Sequence, residues 1–153
     1  MNNLKSALIL SIFLLPKALI AADMVEPKQN TDSLVSPVTA IELFVNEPWL
    51  SSIREGKKTV EGRAGSLKDY SGWVGKKARF HNSKQEVIVQ IIEVHHYDTL
   101  REFLNKEGWK NAAPHLGSFD ETEKAYLQFY PGDFIKKAGG MNGIIVAIPP
   151  PML

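Results

Sequence analysis

The sequence predicts an α+β fold, a small β-barrel or mostly antiparallel sheet with helices flanking one side. Two observations carry that expectation. The apolar periodicities run in the order strand, helix, strand, strand, long strand, two helices, strand, so strands outnumber the helices available as crossovers and a doubly wound parallel sheet is disfavoured. The run "EVIVQIIEVHHY" (86–97) is mostly apolar on both faces, as a central strand should be.

"AIELFV" (40–45) alternates weakly and opens the fold as a strand. Asn46 can cap the helix that follows and Pro48 suits its first turn. Trp49, Leu50 and Ile53 recur at helical spacing until Gly56 stops the helix, which puts Trp49 on a core-facing stripe. "TVEGR" (59–63) then reads as a strand entered directly from the turn. "SLKDYSGWVG" reads as a loop punctuated by Gly72 and Gly75, and "KKARFHN" as a short strand. After the long strand, "DTLREFLNKEG" starts a helix at Asp98 or Thr99, pairs Thr99 with Glu102 as a cap, turns Leu100, Phe103 and Leu104 inward, and ends at Gly108. "WKNAAPHLGS" connects to a helix that begins near Ser118 or Asp120 and buries Ala125, Tyr126, Phe129 and Tyr130. "GDFIKKAGGMNG" reads as a glycine-rich connection, and "GIIVAI" as a last strand that prolines terminate.

The 153 residues predict a single domain, long enough to bury a core without staples. The chain has no cysteine, which excludes disulfides, thiolate metal sites and a cysteine nucleophile. Lys5, the apolar "ALILSIFLLP" and the small residues of "ALIAAD" make residues 1–22 an expected signal peptide, with export to the periplasm or beyond; a retained, cytoplasmic form is the alternative. Pro16 and Lys17 break the apolar run well short of the roughly 20 residues that span a bilayer, so no stable membrane insertion is expected once the signal is removed. Residues 23–38 read as a linker and 39–150 as the folded domain. A net charge of +1 demands no polyanionic partner globally. Locally, residues 54–84 hold nine Lys/Arg against three Asp/Glu, a basic face of the kind that attracts phosphates and also keeps a surface soluble.

Within that basic half stands "GKKTVEGR" (56–63). Strand alternation places Thr59, Glu61 and Arg63 on one face, with Lys58 leaning over from the turn. Gly56 permits the left-handed turn, and Gly62 would let a ligand or a neighbouring strand approach closely. A guanidinium fork suits a phosphate or a carbonyl-rich base edge, and a carboxylate accepts from an exocyclic amine. The competing reading is an ordinary ion pair on a solvated hairpin entry. His81, His95, His96 and His115 have no metal-ligand spacing, and adjacent His95 and His96 must point to opposite faces, so neither metal nor cofactor is expected. Trp73, between two glycines in the basic half, is the candidate stacking residue.

"FVNEPWLSSIREGKKTVEGR" resembles the opening of an ASCH domain, a PUA-like family marked by G-x-K-x-x-E-x-R, and Gly56, Lys58, Glu61 and Arg63 match all four positions. The "WVGKKARFHN" strand, the "REFLNKEGW" and "AYLQFYP" helices and the "GIIVAI" strand follow the family layout, so the resemblance spans roughly residues 40–149. It implies a PUA-like small β-barrel with a cleft beside the motif, and RNA or a modified nucleoside as partner. Some small bacterial ASCH proteins that this chain resembles remove the acetyl group from N4-acetylcytidine, with a lysine at the place of Lys58, a threonine at the place of Glu61, and a later glutamate. Glu61 departs from that pattern, and the later glutamate aligns with no particular residue here, although Asp120 and Glu121 lie nearby in sequence order. An amide hydrolysis here would use Lys58 and Glu61 as catalytic groups, Glu61 positioning water and Lys58 exchanging protons. Arg63, Thr59 and Trp73 would bind the substrate. A catalytically silent RNA- or nucleotide-binding module and an RNA-cleaving enzyme are the alternatives.

Overall fold

The structure, a computed structural model, describes residues 41–151; the expected signal peptide (1–22) and linker (23–38) lie outside the described residues. Five strands form one sheet among the described residues: β1 (Ile41–Phe44), β2 (Val60–Ala64), β3 (Lys77–His81), β4 (Glu86–Tyr97) and β5 (Met141–Ala147). Their order is β1-β3-β4-β5-β2, with β1 and β3 parallel and every other pair antiparallel. The 12-residue β4 is central, as its length and apolar content predict, although Ile88 and Ile92 on it stay exposed. The sheet curls into a half-barrel with flanking helices, an α+β PUA-like small barrel.

Chain-sequential β1 and β2 are the two edges of the sheet, and the curl brings them together. Arg63 on β2 reaches across and donates from Nη2 to the Phe44 carbonyl of β1 at 2.9 Å. The seam of the half-barrel is therefore closed by a side chain, where a full barrel would use a strand ladder.

Each face of the sheet has its own core. Ile41, Phe80, Val89, Ile91, Ile144 and Val146 pack with Leu50 and Ile53 of α1 (Trp49–Arg54) on one face. Val60 and Met141 pack on the other with Leu100, Phe103 and Leu104 of α3 (Leu100–Glu107) and Tyr126 of α5 (Phe119–Phe129). Trp49 touches both cores. Thr99 and Ser118 cap α3 and α5, accepting from Glu102 N at 3.1 Å and Glu121 N at 3.2 Å. Glu102 reaches back to Asp98 N, one residue beyond the expected partner.

Three segments expected as connections are helical. Leu67–Tyr70 forms α2 and runs into a 3-10 turn at Ser71–Trp73; Trp109–Ala112 forms α4, and Phe134–Ala138 forms α6. The signal for α2 was in the chain: Ser66 and Asp69 make a reciprocal capping box, with Asp69 accepting from the Ser66 amide and hydroxyl. α4 and α6 are only four and five residues long, too short for apolar periodicity to register. Phe129, expected in the core, is 52% exposed at the C-terminal end of α5.

Candidate functional site

The G-x-K-x-x-E-x-R residues form a row of charge running from the interior to the seam. Gly56 takes φ +69° after α1, the left-handed turn its position demanded. The next turn drives Lys58 inward, where its side chain is fully buried. Its ammonium donates to the carbonyls of Val60 (2.5 Å) and Ala112 (2.6 Å), lies 3.2 Å from Glu61 Oε2, and sits 5.1 Å from the centre of the Trp49 ring. Two hydrogen bonds and one ion pair thus surround the ammonium. Glu61, 9% exposed, turns its other oxygen to Arg63 Nε at 2.8 Å. That N–H is not aligned for a hydrogen bond, so the contact is an ion pair, while Nη2 holds the Phe44 carbonyl.

Burial pushes the Lys58 pKa down, against the pull of Glu61. Burial also opposes the Glu61 charge, but Lys58 and Arg63 outweigh it and hold the carboxyl below the usual carboxylate range. For Arg63 burial is likewise the largest influence, and the Glu61 charge overcomes it to keep the guanidinium firmly protonated.

The exposed end of this row opens into a cleft of about 350 Å³ at the seam. Phe44, Val45 and Asn46 of the β1 edge line one side and Glu61, Gly62 and Arg63 of β2 the other; Trp49, Tyr126, Phe129 and Tyr130 complete the wall. Gly62 is what lets the helices close on β2, since a Cβ there would stand 2.6 Å from the Tyr126 hydroxyl and 2.8 Å from Phe103. The strand edge is shielded as well: Lys58 takes the Val60 carbonyl and the Tyr70 hydroxyl takes that of Ala64. The arrangement offers one anionic acceptor and one cationic donor set, fixed in place, among aromatic rings.

The expected residues divide between this cleft and its surroundings. Glu61 and Arg63 line it. Lys58 does not; it is buried behind Glu61, having been drawn in by three acceptors. Thr59 precedes β2, and its backbone is tied on both sides, to Asn111 O and to Val146 N. Trp73 packs edge-on against Tyr70, with ring centres 4.9 Å apart, and outside the cleft wall. Of the later carboxylates, Glu121 accepts from Gly117 N at 2.8 Å and Asp120 is exposed, neither on the cleft. His115 meets Trp49 edge to face at 4.4 Å between ring centres. Its pKa is lowered by burial and then by Lys58. His95 and His96 do point apart, His95 to Glu107 (2.6 Å) and Glu93 (2.7 Å), His96 to Asn142 (3.0 Å). Among the described residues no three His, Asp or Glu are placed to hold a metal.

Sequence reasoning missed the aromatic wall. Trp49 reads as core because helical spacing marks a buried stripe without saying whether the stripe ends in a core or in a cleft. Tyr126, Phe129 and Tyr130, spaced i, i+3, i+4, pose the same ambiguity.

A family model described as ASCH domain matches residues 43–138. The crystal structure of hypothetical protein PH0355 is similar at 31% identity and a TM-score of 0.60, covering 69% of this chain and 94% of that one. The solution NMR structure of protein PF0455 from Pyrococcus furiosus is similar at 30% identity and a TM-score of 0.56, again covering 69% and 94%. No curated protein matches the chain.

Proposed function

Because this chain belongs to the ASCH domain family, we propose that its seam cleft takes up one base of RNA or of a modified nucleoside. The observation that supports this is the pairing of Glu61 and Arg63 on the wall of an aromatic cleft of about 350 Å³, within the size range of small-molecule sites. The Glu61 carboxylate accepts from an exocyclic amine or ring N–H. Arg63 gives its remaining N–H groups to a base carbonyl or a phosphate. Trp49, Phe129 and Tyr130 offer rings against the base faces. Lys58 acts through Glu61, fixing its rotamer and its charge.

Titration calorimetry with cytidine and N4-acetylcytidine tests the reading. Saturable binding is expected, and Glu61→Gln and Arg63→Ala each weaken it by about tenfold or more, as loss of a hydrogen bond to a charged group does. Unchanged affinity in both folded variants would count against the cleft.

Hydrolysis of N4-acetylcytidine is a second use of the same cleft, in which the Lys58 ammonium keeps the Glu61 carboxylate ionised and so open to a proton. Glu61 takes a proton from water as the water oxygen bonds to the acetyl carbon, Arg63 stabilises the oxyanion, and the bond from the acetyl carbon to N4 breaks as N4 takes that proton from Glu61. The products are acetate and cytidine. Acetate release followed by proton NMR is expected from the wild type and not from Glu61→Gln. Binding without acetate leaves a silent binding module, and cleavage of a labelled RNA in the same incubation marks a nuclease.

A further inference from the structure

We propose a second base-stacking position outside the cleft, on the exposed face of Phe134, which makes the preferred ligand a single strand of RNA and not a free nucleoside. The inference rests on the reading of the seam cleft as a base site and extends it by a neighbouring nucleotide. Tyr130 on the cleft wall stacks against Phe134, with ring centres 5.6 Å apart and planes inclined by 22°. Phe134 is the first residue of α6 and is 49% exposed, while the adjacent Ile135 is buried in the core. Core packing therefore accounts for Ile135 and leaves the Phe134 ring half exposed. A half-exposed ring stacked on the wall of a base site is a platform for the next base.

Charge around the ring decides what kind of partner it suits. α6 carries Lys136 and Lys137, and Gly139 at its end packs on Ser66, which caps the helix bearing Lys68. Lys137 is paired with Asp133 at 3.0 Å. Lys68 and Lys136 make no ion pair among the described residues. The two uncommitted ammonium groups, one on α6 and one on the helix whose cap meets Gly139, suit phosphates of a strand that runs past a stacked base. Lysine is depleted at the centres of protein interfaces, which disfavours a protein partner.

The test compares N4-acetylcytidine with a uridine hexanucleotide carrying one internal N4-acetylcytidine. Calorimetry reads the nucleoside, fluorescence anisotropy the oligonucleotide, and sedimentation the oligomeric state. The hexanucleotide is expected to bind at least about tenfold tighter than the nucleoside. Phe134→Ala should lower hexanucleotide affinity about tenfold and leave nucleoside affinity unchanged, with Phe134→Trp restoring it. Lys68→Gln combined with Lys136→Gln should flatten the salt dependence of log K by about 1.4 for two phosphates. A hexanucleotide that binds no tighter than the nucleoside, or a Phe134→Ala loss equal for both ligands, removes the second position and leaves the cleft reading standing. Failure of both ligands to bind overturns the two together. A change in self-association in Phe134→Ala with RNA affinity intact assigns the ring to a protein contact and overturns the proposal.

Discussion

Lys58 ties the start of β2 to α4 from the inside, its buried ammonium hydrogen-bonded to the Val60 and Ala112 carbonyls and ion-paired with Glu61. Lys58→Met removes that cation, leaving Glu61 with Arg63 alone and the Val60 and Ala112 carbonyls without its two hydrogen bonds; a loss of about 3–5 kcal/mol in urea unfolding is expected. Lys58→Arg should not rescue it, since a planar fork cannot occupy a three-pronged site. Two titrations have opposite signs. The depressed Glu61 pKa contributes stability that is complete above the unfolded value near 4.3 and is lost as pH falls through the folded one. His95 is raised, first by its contact with Glu107, with Glu93 adding to it. Its contribution is complete below the unfolded value near 6.5 and is lost as pH rises through the folded value. Urea midpoints should therefore decline from pH 6 to pH 8 in the wild type and less so in His95→Gln, which keeps Glu93, Glu107 and Tyr97 in place. Equal declines would assign the slope to another group. The G-x-K-x-x-E-x-R spacing made Glu61 and Arg63 legible in sequence. The inward turn of Lys58 was not, because its acceptor Ala112 lies on α4, 54 positions away.

At the scale of elements, β2 is an edge strand made usable by one glycine. Gly62→Ala pushes a methyl group into Tyr126 and Phe103, which anchor α5 and α3. Overpacking of this kind costs about 1–3 kcal/mol and should also weaken nucleoside binding, because Tyr126 lines the cleft. Ser118→Ala removes the α5 cap for about 1 kcal/mol without altering the charged row, so it separates helix stability from ligand affinity. The strands were the most legible part of the chain: β4 begins and ends where its apolar run does, and caps announced α3 and α5. The short α4 and α6 fall below the length at which a period can be read. The capping box of α2 was legible and overlooked, hidden by the glycines after it.

For the whole molecule, curling is what turns two chain-adjacent strands into the lips of a cleft. No local pattern encodes that closure. It follows from the order β1-β3-β4-β5-β2, from strand twist, and from Arg63 bridging to Phe44. This explains why the motif could be found and the aromatic wall could not, as Phe44, Trp49 and Tyr130 meet only when the sheet has bent. We propose that the chain is exported and that residues 1–22 are removed. Intact mass of the natively produced protein should then lack them, and a full-length mass with Met1 retained would contradict it. The central claim is that Glu61, Arg63 and the rings around them hold a base at the seam. Its most direct test is nitrogen–proton NMR of the folded protein during titration with N4-acetylcytidine. The Trp49 indole and Arg63 Nε–H resonances should shift together and saturate; a response confined to residues around His95, or none at all, would contradict the account.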